Sequence, residues 1–244
     1  MYQCLLALCL LCAAQAETLE VGAFSVAPWI IATGNDKVSG ALVDFYNQDV
    51  APRAGVTLRW HGAVTVSRLV EDLRLGKLQF SPILTRTPER LQQLRFGSTL
   101  VTRFEPCLAV LPSSPLKQLN RPEDLDGFTI GWTVGGKSPD FLDKPSINMD
   151  RTGVPEWELA NLGKLRLGRI DAAYFSNPLT PLFFRPIASV QYRLVKIPVP
   201  PIALYPVYPP DTDPALVARM DKAIAKALSE GRLERHLSNY LPTE

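Results

Sequence analysis

The sequence predicts an α/β fold in two lobes, on three observations. From residue 19 to residue 98, short alternating or apolar runs exchange with helical stripes: strand, helix, strand, helix, strand, helix. That alternation calls for a sheet with helices on its faces. The chain has 244 residues. With a leader ending at Ala16 set aside, it still has length for two cores of ~100 residues each. Finally, the apolar segment 104–111 (FEPCLAVL) is followed by a proline-serine run at 112–115, which reads as a strand crossing between lobes.

Residues 1–16, MYQCLLALCLLCAAQA, hold an apolar run ending in Ala14-Gln15-Ala16, an A-x-A cleavage pattern. The run is too short for a membrane span, which needs ~20 apolar residues. A lipid anchor at Cys9 or Cys12 is disfavoured because leucine precedes each. Export, cleavage after Ala16 and a soluble periplasmic protein are therefore expected. Cleavage leaves Cys107 alone, which excludes an intramolecular disulfide. The 26 basic and 24 acidic residues nearly cancel, which argues against nucleic acid or an anionic membrane as partner. With only His61, His236 and one remaining cysteine, no metal cluster and no cofactor site can be drawn.

Leu19, Val21 and Ala23 alternate in a first strand that breaks at Ala27-Pro28, with Phe24 and Trp29 at its end. An aromatic there serves either the core or a ligand platform. Gly34-Asn35-Asp36 is a turn, and Gly40 precedes a helix that buries Leu42, Phe45 and Tyr46. A second strand occupies 56–60. Thr65 caps a helix with Val66, Leu69, Val70 and Leu73 on one face, closed by Gly76. A third strand at 79–84 runs into Thr85-Arg86-Thr87-Pro88-Glu89-Arg90. Thr87 can cap orphan N–H groups and Pro88 suits the first helical position, so the positive helix end lies above the strand. Arg90 adds a planar donor fork that matches a carboxylate, unless it merely caps a surface helix.

A strand at 128–132 opens the second half. It overlaps GWTVGGKS at 131–138, which fits the nucleotide-binding pattern G-x-x-x-x-G-K-[ST]. Pro145 and the polar run at 146–153 stop the long helix that such a loop requires, and no apolar strand ending in aspartate follows. Nucleotide hydrolysis is set aside. In a milder form, Ser138 is expected to cap a helix with Pro139 first and Asp140 at its positive end. The loop Gly136, Lys137, Ser138 would then face an anion. A helix at 156–166 turns Trp157, Leu162 and Leu165 inward. Residues 178–214 hold ten of the 22 prolines, which argues against central strands and long helices there. Asp213-Pro214 starts the clearest helix, striped by Leu216, Val217, Met220 and Ile224 and ended by Gly231. His236 beyond it reads as a satisfied or surface histidine, not a base.

These segments together resemble the family 3 extracellular solute-binding proteins, the polar amino-acid receptors of ABC transporters. Residues 85–90 fit the family's T-x-T-x-x-R, and Pro28-Trp29 its P-[FYW]. Asp44-Phe45, Asp124-Leu125-Asp126-Gly127 and Arg169-Ile170-Asp171-Ala172 follow in the family's order. The resemblance spans residues 19–240. It implies a two-lobed, type II periplasmic binding protein-like fold with a ligand cleft between lobes joined by two crossings. Lobe 1 would take 17–106 and 200–244, and lobe 2 would take 107–199. By the same resemblance Arg90 clamps a ligand carboxylate, Thr85 hydrogen-bonds it, Trp29 and Phe24 floor the cleft, and Gly136, Lys137 and Ser138 touch the ligand. Where amino-acid receptors hold the ammonium group with aspartate, this chain has Ser176, then Asn177.

The expected function is a periplasmic receptor for a small amino-acid-like or carboxylate solute, monomeric, serving an ABC permease or a membrane sensor. With the ammonium point missing, a small anionic or amide-bearing solute is favoured over a standard zwitterionic amino acid. It is not expected to be an enzyme. The alternatives are a dehydratase on the same fold, or a degenerate receptor that binds a protein.

Overall fold

The computed structural model describes residues 16–33 and 37–241; the leader, with Cys4, Cys9 and Cys12, and the turn at 34–36 lie outside them. In the first lobe Glu17–Val21 pairs in parallel with Val56–Trp60, with Leu19 opposite Leu58. Val21 bridges to Phe80, which leads into Ser81–Thr85. That strand pairs antiparallel with Ile202–Tyr208, which in turn holds Arg95–Phe96 and Thr102–Phe104. The second lobe is one five-stranded sheet in the order Asn148–Thr152, Thr129–Thr133, Ala172–Phe175, Cys107–Val110, Arg193–Lys196. In both lobes the strand order is second, first, third, an inserted antiparallel strand, fourth. The inserted strand is always the one that has just crossed from the other lobe. The crossings touch, the Ile197 N–H donating to the Pro106 carbonyl at 3.1 Å.

Each lobe closes over its own apolar cluster. Phe45, Tyr46, Phe80 and Met220 centre the first, and Ile130, Leu162, Leu165 and Tyr174 the second. The helix read from Gly40 runs through Ala41–Asp44, a wider π-turn at Phe45–Val50, and Ala51–Ala54. Thr65 Oγ1 accepts from the Arg68 N–H, as a cap should. Asp171 accepts from the Thr129 N–H at 2.8 Å, a structural role at the strand edge. His236 is satisfied by Asp49 at 2.7 Å.

Two expectations need correction, and a third gains a detail. The apolar segment at 104–111 is two strands, Thr102–Phe104 in the first sheet and Cys107–Val110 in the second, divided at Glu105-Pro106. Proline 106 cannot donate to a ladder, so the sheets separate there. The polar run after Pro145 does stop any helix, as expected, and it forms an edge strand, Asn148–Thr152, whose outer side tolerates polar residues. The proline-rich stretch holds both a ten-residue helix, Leu179–Ala188, and a central strand, Ile202–Tyr208. Pro181 lies in that helix's first turn, where no N–H is needed. Pro206 lies where the register shifts between Tyr205 and Val207, so its missing N–H costs no ladder bond.

Candidate functional site

Thr87 caps the short helix Pro88–Gln93, its Oγ1 accepting from the Arg90 N–H at 3.2 Å, with Pro88 at the helix start. This fixes the Arg90 side chain across the end of strand Ser81–Thr85. Arg90 is only 7% exposed. Its Nη1 donates to the Thr85 carbonyl and its Nη2 to the Gly135 carbonyl of the second lobe, both at 3.0 Å. Burial lowers its pKa, an effect that Glu89 opposes. Two of five guanidinium N–H groups are used in this way, leaving three for another acceptor.

Arg90 borders a small, partly open cavity of about 40 Å³ at the lobe junction. The first lobe contributes Phe24, Thr85, Arg90 and Phe104 to its wall; the second contributes Trp132, Gly136, Lys137, Trp157 and Ser176. The wall contains no aspartate or glutamate. Thr85, Lys137 and Ile202 also border a wider outer crevice of about 860 Å³, which adds Arg86, Ser138, Phe141 and Tyr205.

The structure thus brings Phe24, Thr85, Arg90, Gly136, Lys137 and Ser176 around one cavity. Ser138 stands in the outer crevice. Trp29 is not in the wall but packs behind it, in the first core, on the wall residue Phe104 at a 5.2 Å ring separation. Asn177 lies behind the wall, where its Oδ1 accepts from the Thr180 N–H and its Nδ2 donates to Thr180 Oγ1. The expected helix start at Pro139 is absent: Asp140–Leu142 is a single 3₁₀ turn, with no side-chain cap from Ser138. Lys137 Nζ donates to Asp140 at 2.7 Å, and this bond holds the Asp140 carboxyl below its ordinary pKa. Its charge is therefore matched on the surface rather than aimed at the cavity.

Sequence reading missed the aromatic side of the wall. Trp132 and Trp157 meet edge to face at 4.7 Å, and Trp132 meets Tyr174 at 4.4 Å. The indole N–H of Trp132 is buried without a hydrogen-bond partner among the described residues. An orphan donor of this kind costs about 1–3 kcal/mol. Trp132 sits inside the GWTVGGKS stretch, where attention to the glycines and lysine hid it.

Glu158 was also missed. It is fully buried, and its Oε1 accepts from Ser25 Oγ across the lobes at 2.6 Å. Burial pushes its carboxyl up to about 7, against the Ser25 hydrogen bond. Beside it Trp157 Nε1 donates to the Ser25 carbonyl at 3.1 Å, and Thr180 Oγ1 to the Ala27 carbonyl at 2.5 Å. Gly135, with φ +75°, also abuts the first lobe: an added Cβ would stand 2.1 Å from Ser67 Oγ. Only glycine suits that backbone and that approach.

Two lobes of like topology, joined by two crossings and walling one cavity, define an interlobe binding protein. The profile of the bacterial extracellular solute-binding proteins, family 3, matches residues 19–243, and the chain belongs to that family. Among solved structures it is similar to an ancestral arginine-binding protein bound to arginine (TM-score 0.78, 17% identity, 93% of this chain and 100% of that one). It is also similar to a putative L-cystine ABC transporter from Listeria monocytogenes (0.76, 19%, 93% and 96%). A third is the B. pertussis BvgS periplasmic domain (0.77, 17%), where the match covers 93% of this chain and 43% of that one. At such identities the likeness establishes the type II periplasmic binding protein fold. Among curated proteins, none matches the sequence. No helix among the described residues is long and apolar enough to cross a membrane.

Proposed function

We propose that this chain is an exported solute receptor that holds a small amino-acid-like or carboxylate solute between its lobes, for an ABC-type uptake or sensing system. One observation carries the reading: a buried arginine with N–H groups to spare stands in a cavity wall built by both lobes. A fixed fork of this kind matches a carboxylate, and closing low-dielectric walls around the pair strengthens it. Membership of the solute-binding family and the likeness to an arginine-binding protein support it. Export after Ala16 and a monomeric periplasmic receptor, with a permease or membrane sensor as partner, belong to the same proposal.

A dehydratase-like enzyme is less well supported. Such chemistry needs an acid or base at the substrate, and Glu158, the carboxyl shifted toward neutrality, does not border the cavity. The test is isothermal titration with carboxylate solutes. Truncating one partner of a buried charge pair costs ~2–5 kcal/mol, so Arg90→Ala should weaken binding by well over tenfold while the fold survives. Arg90→Lys should restore little, lacking the planar fork. Equal affinity in Arg90→Ala would remove Arg90 from the site.

A further inference from the structure

We infer that the interlobe cavity takes a short, amine-free monocarboxylate of two or three carbons, and that the indole N–H of Trp132 binds its anionic end together with Arg90. The inference rests on the receptor reading above and narrows it.

Three observations converge. The first is the donor set. Trp132 borders the cavity at 5% exposure, and its Nε1 has no partner among the described residues. Gly136, also in the wall, lies against that nitrogen: a Cβ there would stand 2.6 Å from Nε1 and cover it. An orphan buried donor beside a buried guanidinium suits an acceptor that both can share.

The second is the body of the wall. Phe24, Phe104, Trp157 and Leu204 surround the polar end with apolar surface, and the wall offers no carboxylate. Asp140, in the outer crevice, is held by Lys137. An α-ammonium group would be desolvated here with no anion to meet it, whereas a methyl or methylene loses nothing.

The third is size. One water needs about 10–15 Å³ of such space, so about 40 Å³ admits only a few non-hydrogen atoms. Acetate fits this best, and propionate reaches toward the outer crevice, which shares Thr85 and Ile202 with the cavity.

The experiment is isothermal titration of the purified full chain with two matched pairs: acetate against glycine, and propionate against L-alanine. Each pair differs by one amine. L-Arginine and L-glutamine complete the panel, and Arg90→Ala, Trp132→Phe and Gly136→Ala are run beside the parent. Acetate or propionate should bind, with each amine-bearing partner at least tenfold weaker. Trp132→Phe keeps the ring and removes the donor, so it should lose about ten- to a hundredfold, the usual range for a hydrogen bond to a charged group. If Trp132→Phe melts early, Gly136→Ala, whose Cβ intrudes on Nε1, should show the same loss. Glycine or alanine binding as tightly as its acid would overturn the amine-free class. Unchanged affinity in both donor variants would overturn the role of Trp132. If arginine or glutamine binds in an Arg90-dependent way and the short acids do not, this inference falls and the receptor reading stands. If no solute binds through Arg90, both fall.

Discussion

The two lobes share one strand order and both line the cavity with apolar side chains, but they bring different polar groups to it. The first supplies charge: Arg90, set by a capped helix and tied to two carbonyl oxygens. The second supplies a lone donor, the Trp132 indole N–H, backed by Trp157, while Lys137, the cation it brings to the wall, is matched by Asp140. Strand order alone therefore does not determine what a lobe presents; the residues just past each strand end do.

The largest expected effect comes from removing the aromatic contribution. Trp157 is 4% exposed, packs on Trp132 and Phe175, and donates across the lobes to Ser25. Truncating such a side chain costs ~3–5 kcal/mol, so Trp157→Ala should lower the urea midpoint sharply. A loss below about 1 kcal/mol would mean that the second lobe's aromatic wall is not structural.

The next test sets the buried acid of the second lobe against pH. The folded-state pKa of Glu158 is raised by burial to about 7 from its ordinary 4.5, so between those values the folded chain binds more protons than the unfolded one. Stability from this group is then greatest at the acid end of the window and declines as pH rises. The total decline between about pH 4.5 and 7 is on the order of 3 kcal/mol. Glu158→Gln removes this term, so its stability relative to the parent should improve as pH rises across that window. A difference independent of pH in denaturant melts would contradict the shift.

The smallest effect concerns the two caps. Thr87→Ala should cost ~1 kcal/mol, because its hydroxyl accepts from the Arg90 N–H. Ser138→Ala should cost little beside it, because Ser138 caps no helix. Equal losses in thermal melts would restore the helix start at Pro139 and erase this difference between the lobes.

Much of the first lobe was legible because its signals are local. Thr65 and Thr87 cap where the sequence places caps, and strand Val56–Trp60 stands where it was read. The second lobe was harder. Its edge strand Asn148–Thr152 carries no alternation of apolar residues, since partner strands and solvent set its faces. Prolines 181 and 206 look like breakers until the first helical turn and the register shift that accommodate them are known. Arg90 was found from its motif. Trp132 and Glu158 were not, because an orphan donor and a carboxyl across a lobe junction exist only once the chain is folded.

The inserted strand also bears on how the chain assembles as it is made. All five strands of the second sheet lie between Cys107 and Lys196 and can pair as soon as that stretch emerges. The first sheet has to wait for Ile202–Tyr208, the strand that joins Ser81–Thr85 to Arg95–Phe96 and Thr102–Phe104. Until then those early-made strands are open edges, which pair readily with other chains. The segment made first is thus completed last, and the interval in between is when the newborn chain most needs to be kept from its neighbours.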